Sequence, residues 1–69
     1  METNRFMQIM IMDLTSDILK IEDALEKTMN LDSDINYKID KIKKLLDELN
    51  IAENRLSKFN LMLTPEQNK

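Results

Sequence analysis

The chain has no glycine, no cysteine, no histidine and no tryptophan, and its one proline is Pro65. Each absence removes a class of protein. Sheet proteins reverse direction at turns that need positive φ, and glycine supplies these at least steric cost. A glycine-free chain rich in Leu, Ile, Lys, Glu and Asp is therefore expected to be all-α. Without cysteine there is no disulfide, and nothing points to an oxidising compartment. Without histidine and cysteine the usual nitrogen and thiolate ligands of zinc are gone. So are imidazole acid–base catalysis and the thiolate nucleophile. Ser16, Ser33 and Ser57 have no triad partner, and a glycine-rich phosphate loop cannot be built. The chain is expected to be no enzyme and to take no cofactor, no metal and no small molecule.

What is present is short and charged. Sixty-nine residues make one domain at most, and a core of that size is marginal without staples. With disulfides and zinc excluded, stability must come from self-association, a partner or very regular helix packing. The net charge is −3, with acids and bases interleaved. A nucleic-acid binder carries a basic face that displaces counterions from phosphates. The most basic run here, Lys41-Ile42-Lys43-Lys44, is flanked by Asp40, Asp47 and Glu48. On a helix these acids are i,i+4 partners of the lysines, namely Asp40 with Lys44, Lys43 with Asp47, and Lys44 with Glu48. That reads as a self-neutralised surface, so nucleic acid is not the expected partner. A basic ridge of Lys38, Lys41, Lys43 and Lys44 remains as a third reading. The excess of Lys over Arg and the frequency of Asn and Ile suit an AT-rich genome, those of viruses and phages included.

The opening METNRFMQIMIMDL is apolar from Phe6 to Met12 except at Gln8. It is no secretory leader, because Glu2 and Arg5 cancel, Asp13 ends the run and no small-x-small site follows. A spanning helix needs about 20 apolar residues, and no such run exists. The expectation is a soluble protein of the cytoplasm or cell interior, or of a virion or virus-infected cell.

One period organises the rest. With Met7 at heptad position d, the a and d positions run from Met7 to Leu63, and 13 of the 17 are Leu, Ile or Met. The alternating 4-3 spacing is that of helices packed along a seam. The exceptions cluster: Thr28 and Asp32 are consecutive polar seam positions beside Asn30, Ser33 and Asp34. Asn, Asp and Ser favour caps and turns. A break near residues 30–33 follows, between a helix from about 4 to 29 and a helix from about 33 to 63, with Asp32 or Ser33 as cap. Thr64-Pro65 stops the second helix and leaves residues 64–69 as a frayed tail. The alternative is one continuous coiled-coil helix of roughly 90 Å, since the heptad phase is the same on both sides of the break.

Position g is also often apolar, at Met10, Ala24, Leu31, Leu45, Ala52 and Phe59. Three apolar positions per heptad suit a helix with more than one neighbour. The expected fold is an antiparallel two-helix hairpin with coiled-coil-like heptads that dimerises into a four-helix bundle. Its interface would be Met7, Met10, Ile11, Leu14, Ile18, Ile21 and Leu25 on the first helix, with Ile35, Ile39, Ile42, Leu45, Leu46, Leu49, Leu56, Phe59 and Leu63 on the second. Phe6, Ile9, Met12, Leu61 and Met62 fall at one pole outside this stripe. Met-rich apolar surface accepts partner helices, so the pole is either part of a self-assembled core or a docking site for a larger protein.

Other polar groups read as surface. Asp13 with Asp17, and Glu22 with Glu26, lie one turn apart near Lys20 and Lys27. Asp32-Ser33-Asp34 opens like a calcium loop, but the required Gly is missing and Lys43 takes the place of the final acid. Glu53 and Asn60 at a either fix register or turn outward where the stripe drifts to the d/g pair. Tyr37 at f is a surface or turn-packing residue. Function is expected to be non-enzymatic protein–protein interaction, by a self-associating structural, scaffolding or adaptor subunit. The alternative is a small regulator or inhibitor that docks its pole on a larger protein.

Overall fold

The computed structural model describes the backbone of residues 2–63 and the side chains of residues 5–63. It is all-helical among those residues: α1 spans Glu2–Met29 and α2 spans Ile35–Leu63, and the two pack against each other as an antiparallel hairpin. A continuous rod is excluded, because the chain measures 50 × 24 × 11 Å along its principal axes. Each helix is about 42 Å long at 1.5 Å per residue, so the hairpin is one helix long, two wide and one thick. The expected tail, with Thr64-Pro65, lies outside the described residues.

The reversal occupies residues 30–34. Helices commonly end on a left-handed residue that allows a tight exit, and here no described residue has positive φ. The turn is spread over five residues instead. The Asn30 amide donates to the Glu26 carbonyl at 3.2 Å, and the Leu31 amide to the Thr28 carbonyl at 3.1 Å. Lys38 then reaches back from α2, its Nζ donating to the Met29 carbonyl at 3.1 Å. A cation at a helix C-terminus meets both orphan carbonyls and the negative end of the macrodipole.

The cap of α2 is Asp34, and not Asp32 or Ser33. Its Oδ2 accepts the Tyr37 amide at 3.1 Å, and its carbonyl accepts the Lys38 amide at 3.1 Å as the first helical bond. These are the two acceptor roles of an N-cap residue. The later start has a physical reason. Without a left-handed residue the chain needs the extra length of residues 32 and 33 to cross to the second helix axis.

Few residues are fully shielded. Among the described residues the buried apolar side chains are Leu14, Leu25, Leu45 and Ala52, and the most buried residue is Thr28, 2% exposed. Thr28 therefore belongs to the core and not to the break. Its hydroxyl donates to the Ala24 carbonyl at 2.8 Å, which satisfies the polar atom within the helix and leaves the methyl to pack. Ala52, 4% exposed, lets the helix backbones approach.

The face that α2 turns to α1 is shifted from the expected one. Its shielded residues are Lys38, Ile42, Leu45, Leu49, Ala52, Leu56, Phe59 and Leu63, which are the d and g positions, spaced 4-3 throughout. The drift anticipated near Glu53 thus governs the whole helix, and Glu53 and Asn60 are exposed. On α1 the a and d positions from Met7 to Thr28 are all at least half-buried.

Removal of the Asp34 carboxylate by Asp34→Ala should destabilise the hairpin by about 1 kcal/mol. Asp32→Ala and Ser33→Ala should each stay within about 0.5 kcal/mol. Urea unfolding followed by circular dichroism separates the three.

Candidate functional site

A slab one helix thick has two broad sides, and each is open. One side carries a groove lined by Ile18, Leu56 and Leu63 with Glu53, Ser57 and Asn60 at its rim. The opposite side carries a groove between Ile21 and Ala52, edged by Asp17, Glu48, Ile51 and Arg55. Both are shallow, open depressions between helices, and neither gathers an acid–base or nucleophilic pair. Among the described residues no group of three or more His, Cys, Asp or Glu is placed to hold a metal ion. Nor is any helix of the described residues long and apolar enough to cross a membrane.

Of the sixteen residues expected at an interface, Leu14, Leu25 and Leu45 are buried inside the hairpin itself. Met7, Met10, Ile11, Ile18, Ile21, Ile42, Leu49, Leu56, Phe59 and Leu63 are half-buried. Three stand apart. Ile35 is 69% exposed, Ile39 44% and Leu46 50%. Ile39 and Leu46, at a, are left outside the seam by the shift of α2 to its d/g face, whereas Ile35 is a d residue at the very start of α2. Residues seven apart on a helix differ by only about 20° in direction, so Ile39 and Leu46 lie on the same side as Glu53. Ile35 follows one turn before Ile39.

That side is divided along its length. Near the turn it is apolar, with Ile35, Ile39 and Leu46 beside the half-buried Ile42 and Leu49. Towards the pole the same row continues as Glu53 and Asn60. Met29 of α1 is exposed as well. It lies eleven residues after Ile18, close to three full turns, and so joins the apolar half. Sequence reading passed over Met29 because it sits at e; its signal was the eleven-residue spacing from Ile18.

The pole is less coherent. Phe6, Ile9, Met12, Leu61 and Met62 are all exposed, and the hairpin brings the start of α1 and the end of α2 to one end. They do not converge. Ile9 and Met12 lie opposite the seam of α1, and the adjacent Leu61 and Met62 point about 100° apart. Leu61 lines the groove with Ile18, Leu56 and Leu63, and the five together form a collar and not a single pocket. Leu19, exposed and one heptad after Met12, continues the outer row of α1. That spacing was readable in the sequence and was missed.

The charged surface is also simpler than expected. The ion pair within 4 Å among the described residues is Lys27 Nζ to Asp23 Oδ2 at 3.0 Å. The expected pairs of Lys43 and Lys44 with Asp40, Asp47 and Glu48 are not closed. All five side chains are exposed, and exposed i,i+4 pairs gain too little to hold two long side chains in place. Lys41 instead stands over the Tyr37 ring, 6.0 Å from its centroid, at the outer limit of a cation–π contact.

No family model, curated protein or solved structure matches the chain.

Leu45 and Leu46 are neighbours with opposite fates, and this gives a sharp test of the phase. Leu45→Lys should cost about 2–5 kcal/mol by forcing a charge into the seam. Leu46→Lys should change the stability of the single hairpin by no more than about 0.5 kcal/mol. Thermal melts at low micromolar concentration distinguish them.

Proposed function

We propose that the protein is a non-enzymatic, soluble intracellular interaction module that works by self-association, two hairpins pairing through a broad side into an antiparallel four-helix bundle. The observation that carries this reading is the exposed apolar row Ile35, Ile39 and Leu46 on the open side of a slab 11 Å thick. Its dimensions support the same reading. The radius of gyration is 16.1 Å, against about 11 Å for a compact domain of this length. The accessible surface is 5830 Å², against about 4500 Å² for a compact monomer of this mass. The surplus of about 1300 Å² exceeds the roughly 800 Å² that each partner commits to an ordinary stable interface. Such a module suits a scaffolding or adaptor role.

A second reading has its own observation. Met12 is 69% exposed and Met62 71%, and pairing through the broad side leaves the far end of each hairpin open. On this reading the pole docks on a larger protein, as a regulator or inhibitor would. The two readings are compatible if the dimer is the carrier and the pole is the contact.

Sedimentation equilibrium from about 1 µM to about 1 mM, with circular dichroism on the same samples, tests the proposal. A dimer whose helicity rises with association is expected, because a small core gains stability by mass action. A chain that stays monomeric over the whole range would sink it and leave the pole reading in its place.

A further inference from the structure

The rows that form the seam do not end at the turn. From Met7 to Leu63 every d and g residue is shielded except Leu31, at g, and Ile35, at d, and both of these lie at the connection. They fall between the shielded Thr28 and the shielded Lys38 in the same alternating 3-4 spacing. With residues 30–34 in helical geometry the stripe would run unbroken from one end of the chain to the other. From this we infer that two chains exchange their second helices. Each straightens through residues 30–34, and α2 of each packs on α1 of the other through the seam that closes the single hairpin. The second copy takes over an interface already present, and Leu31 and Ile35 become its middle. The exchange goes beyond pairing through a broad side and leaves both broad sides as they are.

The connection permits this. No described residue has positive φ, and residues 30–34 include neither glycine nor proline. Right-handed helical geometry is therefore open to each of them without a steric clash. Asn30, Asp32, Ser33 and Asp34 fall at f, a, b and c. A straight chain thus carries its polar hinge residues outside the d and g rows and its two apolar ones within them.

The balance between the two forms lies in the hinge. The seam is the same in both and cancels, which is why exchange of an identical element is a low-cost route to a dimer. Against straightening stand the Asp34 cap on the Tyr37 amide and the Lys38 reach to the Met29 carbonyl. The weak helix propensity of Asn, Asp and Ser acts in the same direction. In favour stand a continuous backbone ladder through residues 30–34 and burial of Leu31 and Ile35 from each chain. A lone chain gains nothing by straightening, since its seam would open to water. The closed hairpin holds its helices together at an effective concentration of about millimolar. The exchanged pair is therefore the minor form in dilute solution and grows as the chain is concentrated.

The chain has no cysteine of its own, so spin labels at Lys20→Cys and Arg55→Cys report the form directly. Both side chains are exposed and line one groove. Packed helices lie about 8–10 Å apart, so the closed hairpin keeps the two sites within about 20 Å. One continuous helix sets them 35 residues apart, which is about 52 Å. Doubly labelled chain is diluted into a large excess of unlabelled chain, unfolded in urea and refolded at about 1 mM, near the effective concentration of the hinge. Monomer and dimer are separated by size, and pulsed double electron–electron resonance reads the distance within one chain. The short distance is expected in the monomer and the long one in the dimer. Ile35→Lys in all chains should lower the exchanged dimer about tenfold or more by setting a charge in the joined seam, with the melting of the monomer unchanged. Leu46→Lys, on the broad side, should leave the exchanged dimer as it is. Ser33→Pro should abolish it by blocking helix through the connection, with the helicity of the monomer kept in circular dichroism. A dimer that shows only the short distance would overturn the exchange and leave pairing through a broad side standing. A long distance that Ile35→Lys leaves untouched and Leu46→Lys removes would overturn the seam assigned here. A monomer at every concentration would overturn both kinds of association.

Discussion

A single apolar seam between two helices holds this chain together, and everything else about it follows from how little that seam can bury. Two helices side by side enclose no interior in the ordinary sense; the best-shielded side chains are those on the line of contact, and among the described residues no large side chain is fully buried. A small chain of this shape is stable only to the extent that each residue on that line fits. Ala52 permits close approach, and Thr28 satisfies its own hydroxyl before entering the seam. Lys38 lays its stem along the seam and carries its charge out to a helix end, as amphipathic side chains do. The seam spends its apolar residues economically, and the choice of which ones to use leaves others outside.

That choice explains why two rows of apolar residues exist on α2. One row, at d and g, faces α1. The other, at a, stands at the edge of the broad side and is apolar only at Ile39 and Leu46. A row needed for packing within the hairpin would continue in kind to the end of the helix, as the d/g row does to Leu63. The change to Glu53 and Asn60 sets that row apart from the shielded one, which stays apolar to Leu63 and carries the fold.

Much of the architecture was legible in the sequence because helix periodicity is a strong signal and the absence of glycine left no competing class. The two helices, their approximate ends and the reversal near residue 30 follow from 4-3 spacing and from Asn30 to Asp34. The shift of α2 to its d/g face was visible only from Leu49 onward, where Glu53 and Asn60 interrupt the a row. Before that point Ile39 and Leu46 are as apolar as Leu45, and periodicity cannot choose between two adjacent apolar rows; geometry does. Thr28 misled because hydrophobic pattern treats a hydroxyl as polar, whereas a helix offers that hydroxyl a carbonyl four residues back. Asp34 was hidden among three capping residues in a row, and which of them caps depends on the width of the gap to be crossed. That Phe6, Ile9, Met12, Leu61 and Met62 share one end follows from the hairpin, but only three dimensions reveal that their side chains splay.

The turn has a further consequence. Because no residue in it needs positive φ, the reversal never depended on a residue lacking a side chain. Substitutions drifting through residues 30–33 over evolutionary time therefore meet no demand for glycine, only the need to keep the Asn30 and Leu31 amides that bond to Glu26 and Thr28. The side-chain contacts to be preserved are the two that bracket the connection, the Asp34 cap and the Lys38 reach to Met29. The loop is open ground on which new side chains can be tried at the tip of the hairpin without unmaking it.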